Sequence, residues 1–166
     1  MAPKAPARLP ARVVGDVLRG YVERGVLRSV SHEKRRGTRT GFTMIWHHGR
    51  SFQLELSSGA VSFPALLPGV TSGSPMAKDL RAFLRRFETE EVPAHRRIDP
   101  RKARLRVAVR RGRVSLGLSV KHGEYDYCTR RLVHLVQEVF MVFLPDGPYH
   151  DYRIGTLGLD PERVWA

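Results

Sequence analysis

Leu105, Val107 and Val109 alternate with other residues up to the dipeptide Arg111-Gly112, and Val114, Leu116, Leu118 and Val120 alternate away from it. Successive side chains of a strand point to opposite faces, so this period of two on both sides of a turn predicts an antiparallel hairpin with one apolar face. No other stretch of the chain constrains the fold as strongly.

A second hairpin precedes it. Phe42, Met44 and Trp46 alternate with Thr43, Ile45 and His47, and beyond His48-Gly49-Arg50 the residues Phe52, Leu54 and Leu56 alternate with Gln53 and Glu55. A short strand is expected over Val26 to His32, an exposed loop over 33–41 (EKRRGTRTG), and a brief strand at Val61 and Phe63 before a loop through Pro64, Pro68 and Gly73.

Three helices complete the pattern. Val13, Val14, Val17, Leu18, Tyr21 and Val22 recur at the spacing of one helical face, with Pro10 suited to the first turn and Gly25 as a stop, which predicts a helix from about 10 to 24. Ser74 as cap and Pro75 at the first position open a second, with Met76, Leu80, Phe83, Leu84 and Phe87 on its apolar side. The third runs from about Asp126 to Leu144. Its last turns, VFMVFL, are apolar all round and must be covered by the sheet and a neighbouring helix, or by a second subunit.

The expected class is therefore α+β: an antiparallel sheet of about five strands with helices packed on it, in the order helix-strand-strand-strand-helix-strand-strand-helix. Residues 1–9 form a flexible basic tail, 10–144 a single domain, and 145–166 a C-terminal segment that wraps the domain, with Ile154, Leu157 and Trp165 as its isolated apolar residues. A chain of 166 residues buries roughly 70% of its unfolded surface, enough for one core without staples.

Cys128 is the only cysteine, which excludes an intramolecular disulfide framework and a cysteine zinc ribbon. The opening MAPKAPARLPARVV has no apolar run of signal-peptide length, and Leu132 to Leu144 is interrupted by His134, Gln137 and Glu138, so the expected compartment is the cytoplasm.

Catalytic and metal-binding patterns are scarce. His47 and His48 are adjacent at a hairpin end, read as solvated turn histidines because strand neighbours diverge. His122, Cys128 and His134 would gather only if the loop before the third helix folded back, and 128 and 134 share no helical face. Glu88, Glu90 and Glu91 read as a solvated helix end, with no apolar pocket evident to raise a carboxyl pKa. HExxH, Walker, GxGxxG and GxSxG patterns are absent, so neither enzyme activity, metal nor cofactor is expected.

Charge carries more information. The net charge is +13, and residues 95–122 alone contribute +9, residues 1–40 +7, residues 41–94 zero and residues 123–166 −3. The partner- or phosphate-binding candidates are Arg96, Arg97, Arg101, Lys102, Arg104, Arg106, Arg110 and Arg113. On the hairpin Arg104, Arg106 and Arg110 alternate with the core residues, as do Arg113 and Lys121 on the return strand, so one sheet face is expected to be basic. No Phe, Tyr or Trp lies between Phe87 and Tyr125, so the stacking platforms of single-strand binders are missing there.

The arrangement of GFTMIWHHGRSFQLEL, PMAKDLRAFLRRF, RLRVAVRRGRVSLGLSV and the closing helix resembles the YbjN family and the related type III secretion chaperones over roughly residues 10–144. The resemblance implies helices on a twisted antiparallel sheet, a homodimer, and the holding of a protein partner without turnover. Members of those families are commonly acidic, whereas this chain is strongly basic, and the resemblance supplies no functional residue. Two functions follow as expectations: a non-enzymatic, chaperone-like adaptor that binds a protein partner as a homodimer, and alternatively a sequence-independent nucleic-acid-binding accessory protein that uses the basic hairpin face.

Overall fold

The computed structural model of the chain describes residues 8–32 and 39–158. It comprises α1 (Arg8–Glu23), β1 (Ser29–His32), β2 (Thr40–Trp46), β3 (Arg50–Ser57), β4 (Ala60–Pro68), α2 (Pro75–Arg85), β5 (Ala103–Arg110), β6 (Arg113–Val120) and α3 (Tyr125–Glu138). The class is α+β as expected, and the order of elements is roughly the predicted one, with four strands rather than three between α1 and α2. The sheet is antiparallel throughout and has six strands rather than about five, in the order β1-β2-β3-β4-β6-β5.

One face of the sheet supplies half of the core. Met44, Leu54, Val61, Phe63, Leu116 and Leu118 are buried in one cluster with Leu18 of α1, Leu80 and Leu84 of α2, and Leu132 and Val136 of α3. α3 packs on β4 and β6, α1 on β1 and α3, and α2 beside β5. The other face has no helix over it among the described residues, which leaves a two-layer domain.

Local chemistry sets the element ends. The N–H of Gly25 (φ 76°) donates to the Val22 carbonyl at 3.0 Å and that of Val26 to Tyr21 at 2.9 Å, the paired bonds of a left-handed C-terminal cap. The Ser74 hydroxyl accepts from the Ala77 N–H at 3.2 Å, and Pro75 needs no acceptor in the first turn of α2. Arg111 (φ 52°) and Gly112 (φ 73°) form the two-residue turn with positive φ at both positions that matches the twist of a hairpin.

Several expectations need correction. α1 starts at Arg8, inside the segment assigned to a tail, while residues 1–7 and the greater part of the expected loop, 33–38, lie outside the described residues; Thr40 and Gly41, assigned to that loop, belong to β2. The first predicted strand is shorter, Ser29–His32. β4 does not stop at Phe63 but continues to Pro68, because the pairing with β6 shifts register between Phe63 and Leu67 and exposed Pro64 sits at that irregularity, where no ladder donor is required.

The third helix is helical as expected but changes type. After Glu138 it widens into a π-helical stretch, Val139–Phe143, followed by a last α turn, Leu144–Asp146. Val139, Phe140, Phe143 and Leu144 are buried within the chain, and only Met141 and Val142 of the apolar run are exposed, at 65% and 39%. The segment beyond it wraps the domain: Tyr149 stacks on Phe143 and its hydroxyl bonds Asp79, the Tyr152 hydroxyl donates to the Pro68 carbonyl at 2.6 Å, and Arg50 donates to the Leu157 carbonyl. Trp165 lies outside the described residues.

Candidate partner-binding face

The residues that face away from the core on β4, β6 and β5 follow from the ladder. Ala60, Ser119 and Arg104 share one rung, Ser62, Gly117 and Arg106 the next, Ser115 and Ala108 a third, and Arg113 and Arg110 the last. Residues directly opposite in a ladder share a face, so this surface is a floor of serine, glycine and alanine bordered by arginine along the outermost strand. A cleft of about 590 Å³ lies over it, lined by Arg104, Arg106, Arg110, Ser62, Ser115 and Ser119 among others, and also by Arg85 of α2. An adjoining one of about 430 Å³ is lined by Pro64, Ala108, Arg110, Arg111, Arg113 and Ser115.

Gly117 sets the level of this floor. A Cβ at that position would lie 2.6 Å from the Ser62 Cβ and 2.7 Å from the Val61 carbonyl oxygen, distances that backbone and side chain cannot share. The strand therefore approaches β4 with nothing protruding between Ser62 and Arg106.

The eight predicted cations fall into two groups. Arg104, Arg106, Arg110 and Arg113 are exposed on the sheet face, and among the described residues none of their side chains forms an ion pair or hydrogen bond. Arg96, Arg97, Arg101 and Lys102 instead hold the connection between α2 and β5 in shape. Arg96 pairs with Glu138, whose side chain is only 13% exposed, and its carbonyl accepts from Arg131 at 2.9 Å. Arg97 donates twice to the Val92 carbonyl, at 3.3 and 3.0 Å. Arg101 binds Asp99 through Nε at 3.2 Å and Nη2 at 3.1 Å, bonds that hold the Asp99 carboxyl below its usual range. Lys102 lies over the Tyr127 ring at 5.0 Å.

Arg111, in the turn, and Arg85, on α2, join the sheet-face group and were not among the predicted residues. Arg111 was legible, since it interrupts the same alternation; Arg85 was not, because only the packing of α2 beside β5 brings it there. The serines were legible too, as the polar phase of the alternation Val114-Ser115-Leu116-Gly117-Leu118-Ser119.

The groups with nucleophilic or ligating chemistry lie elsewhere and apart. Cys128 is fully buried on α3, and burial, with Glu124 nearby, pushes its thiol up to about 12, so the thiolate form is suppressed at neutral pH. His47 is not a solvated turn residue: φ of 35° folds its ring between Trp46 and Phe140, at centroid distances of 4.1 and 4.6 Å, and burial lowers its pKa to about 4. His134 lies 3.7 Å from Glu138, and burial lowers its pKa as well. Among the described residues no three His, Cys, Asp or Glu stand together as a metal-binding group, and no helix is long and apolar enough to cross a membrane. Comparison with models of protein families, with curated proteins and with solved structures finds no match to this chain.

Proposed function

We propose that the chain is a non-catalytic nucleic-acid-binding protein that holds phosphates on the face formed by β4, β6 and β5, without reading base sequence. The observation that carries this reading is the cross-strand pair Arg110 and Arg113, opposite one another on that face with Arg111 between them and no acid paired to any of the three among the described residues. Like charges directly opposite in a ladder are unfavourable, and a bound polyanion offsets that repulsion. The surrounding floor is made of serine, glycine and alanine, and phosphate contacts come from arginine, serine and backbone donors. No aromatic or large apolar side chain stands on this face to anchor a protein partner.

Fluorescence anisotropy with labelled oligonucleotides, across a salt series, tests the proposal. Binding should persist at physiological ionic strength and be lost in the triple variant R104E/R106E/R110E with its fold unchanged by circular dichroism. Retained binding in that variant sinks the reading.

A chaperone-like adaptor holding an acidic protein is the second reading, favoured by the edge of the sheet. Arg110 and Arg113 close a two-residue turn and so exchange hydrogen bonds, which turns the N–H and C=O groups of Leu105, Val107 and Val109 outward. The Leu105 N–H donates at 3.5 Å to Glu88, a carboxylate outside the sheet. An extended acidic segment would find both charge and backbone partners there. The resemblance of the sequence pattern to YbjN and the type III secretion chaperones favours the same reading, and the homodimer it implies would join at the exposed Met141 and Val142. Binding of labelled poly-glutamate, with no binding of oligonucleotides, would favour it over the first.

A further inference from the structure

The outer positions of β4, β6 and β5 carry no aromatic side chain among the described residues. Three tyrosines around these strands are spent on the fold: the Tyr125 hydroxyl accepts from the Gly59 N–H at 3.2 Å, the Tyr127 hydroxyl from the Asp99 N–H at 2.8 Å, and the Tyr152 hydroxyl donates to the carbonyl of Pro68, opposite Arg113, at 2.6 Å. A single strand bound here would lose its freedom without the stacking energy, about 1–3 kcal/mol per base, that ordinarily compensates. A duplex has already stacked its bases and presents its phosphates in a fixed line.

The geometry of the face suits such a line. Every second residue of a strand repeats at about 6.6 Å, so Arg104 and Arg106 stand one such step apart and Arg110 two steps further on. The rungs of Arg104 and Arg106 continue inward through residues with a small side chain or none, Ser119 beside Arg104 and Gly117 then Ser62 beside Arg106, while that of Arg110 continues to a second arginine, Arg113. A sugar-phosphate ridge can lie along the arginine row with the serine hydroxyls donating to its oxygens, and no long side chain rises from the floor beside Arg106, where Gly117 is buried against Ser62.

We infer that the ligand of this face is a nucleic-acid duplex, bound by one backbone strand laid along the arginines of β5 and the turn, with bases left paired. This rests on the nucleic-acid reading and narrows it to double-stranded ligands.

The test uses the full chain with labelled DNA and RNA duplexes of two helical turns, about 20 base pairs, and with each of their single strands alone. Duplexes should bind about tenfold tighter than the single strands, a difference on the scale of one stacked base. Two duplexes of unrelated sequence should bind alike. With about five phosphate contacts the slope of log affinity against log salt should be near −4.5, and R106A should reduce its magnitude by about 0.9 while weakening both sequences equally. Single strands that bind as tightly as duplexes, or a marked preference between the two sequences, would overturn the duplex assignment and leave the nucleic-acid reading in place. Failure of every oligonucleotide to bind would remove both.

Discussion

Gly117 of β6 stands opposite Ser62 of β4 at a separation that admits no side chain: an added Cβ would fall 2.6 Å from the Ser62 Cβ and 2.7 Å from the Val61 carbonyl oxygen. Since the second of these is backbone in a central strand, it has nowhere to retreat. Replacing Gly117 with alanine should therefore destabilise the fold by about 1–3 kcal/mol, the usual cost of overpacking, despite the better strand propensity of alanine. Urea denaturation gives the value, and an unchanged midpoint would mean that β4 and β6 are free to separate.

His47 should make the fold acid-sensitive. Its folded pKa, about 4, lies below the value of 6.5 that an unhindered imidazole has, because burial between Trp46 and Phe140 disfavours the cation. Between those two pH values the unfolded chain binds more protons than the folded one. Stability is thus fully present above about pH 6.5 and declines as the pH falls toward 4, with His134, also lowered by burial, adding in the same direction. The urea midpoint measured from pH 7 to pH 4 should fall less steeply in H47N, which keeps a residue tolerant of left-handed backbone. Parallel curves for the two proteins would assign the acid sensitivity elsewhere.

Both hairpins were legible because alternation and turn residues agree on one answer, and Ser74-Pro75 marked the start of α2 for the same reason. The continuation of β4 was hidden, since Pro64 and Pro68 signal a break in any local reading and only the register shift against β6 makes room for them. His47 was misjudged because its partner Phe140 is distant in sequence, and the run Val139–Phe143 has no polar residue whose phase could reveal a π-helical turn. The same limit applies to the cations. A local excess of arginine is visible in sequence, but which of them face solvent and which are spent on Glu138, Val92 or Asp99 depends on tertiary neighbours.

Cys128 should behave as a buried apolar residue. With its thiol pushed up to about 12 and no exposed surface, labelling by a disulfide reagent at pH 8 should be no faster than unfolding and should accelerate in urea. Rapid labelling of the native protein would contradict the packing of α3 on the sheet.

Tyr149 separates two contributions of the C-terminal segment. It is nearly buried against Phe143, and its hydroxyl bonds Asp79. Y149F keeps the ring and should cost about 0.5–1.5 kcal/mol, whereas Y149A removes the stack as well and should cost about 3–5 kcal/mol. Thermal melts of the two variants read the difference, and equal losses would mean that the ring contributes nothing beyond its hydroxyl.

The two groups of arginines should separate in a single comparison. Arg96 is tied to the largely buried Glu138, so R96E places two carboxylates together and should destabilise the fold by about 1–3 kcal/mol. Arg106 faces solvent with no partner among the described residues, and R106E relieves positive charge along the arginine row of β5, so it should leave stability within about 0.5 kcal/mol while weakening polyanion binding. Denaturation midpoints and anisotropy, measured on the same two variants, place each arginine on one side or the other. If R96E instead stayed as stable as the parent and lost binding, the connection between α2 and β5 would belong to the binding surface, and the interface would extend around the β5 edge toward α3.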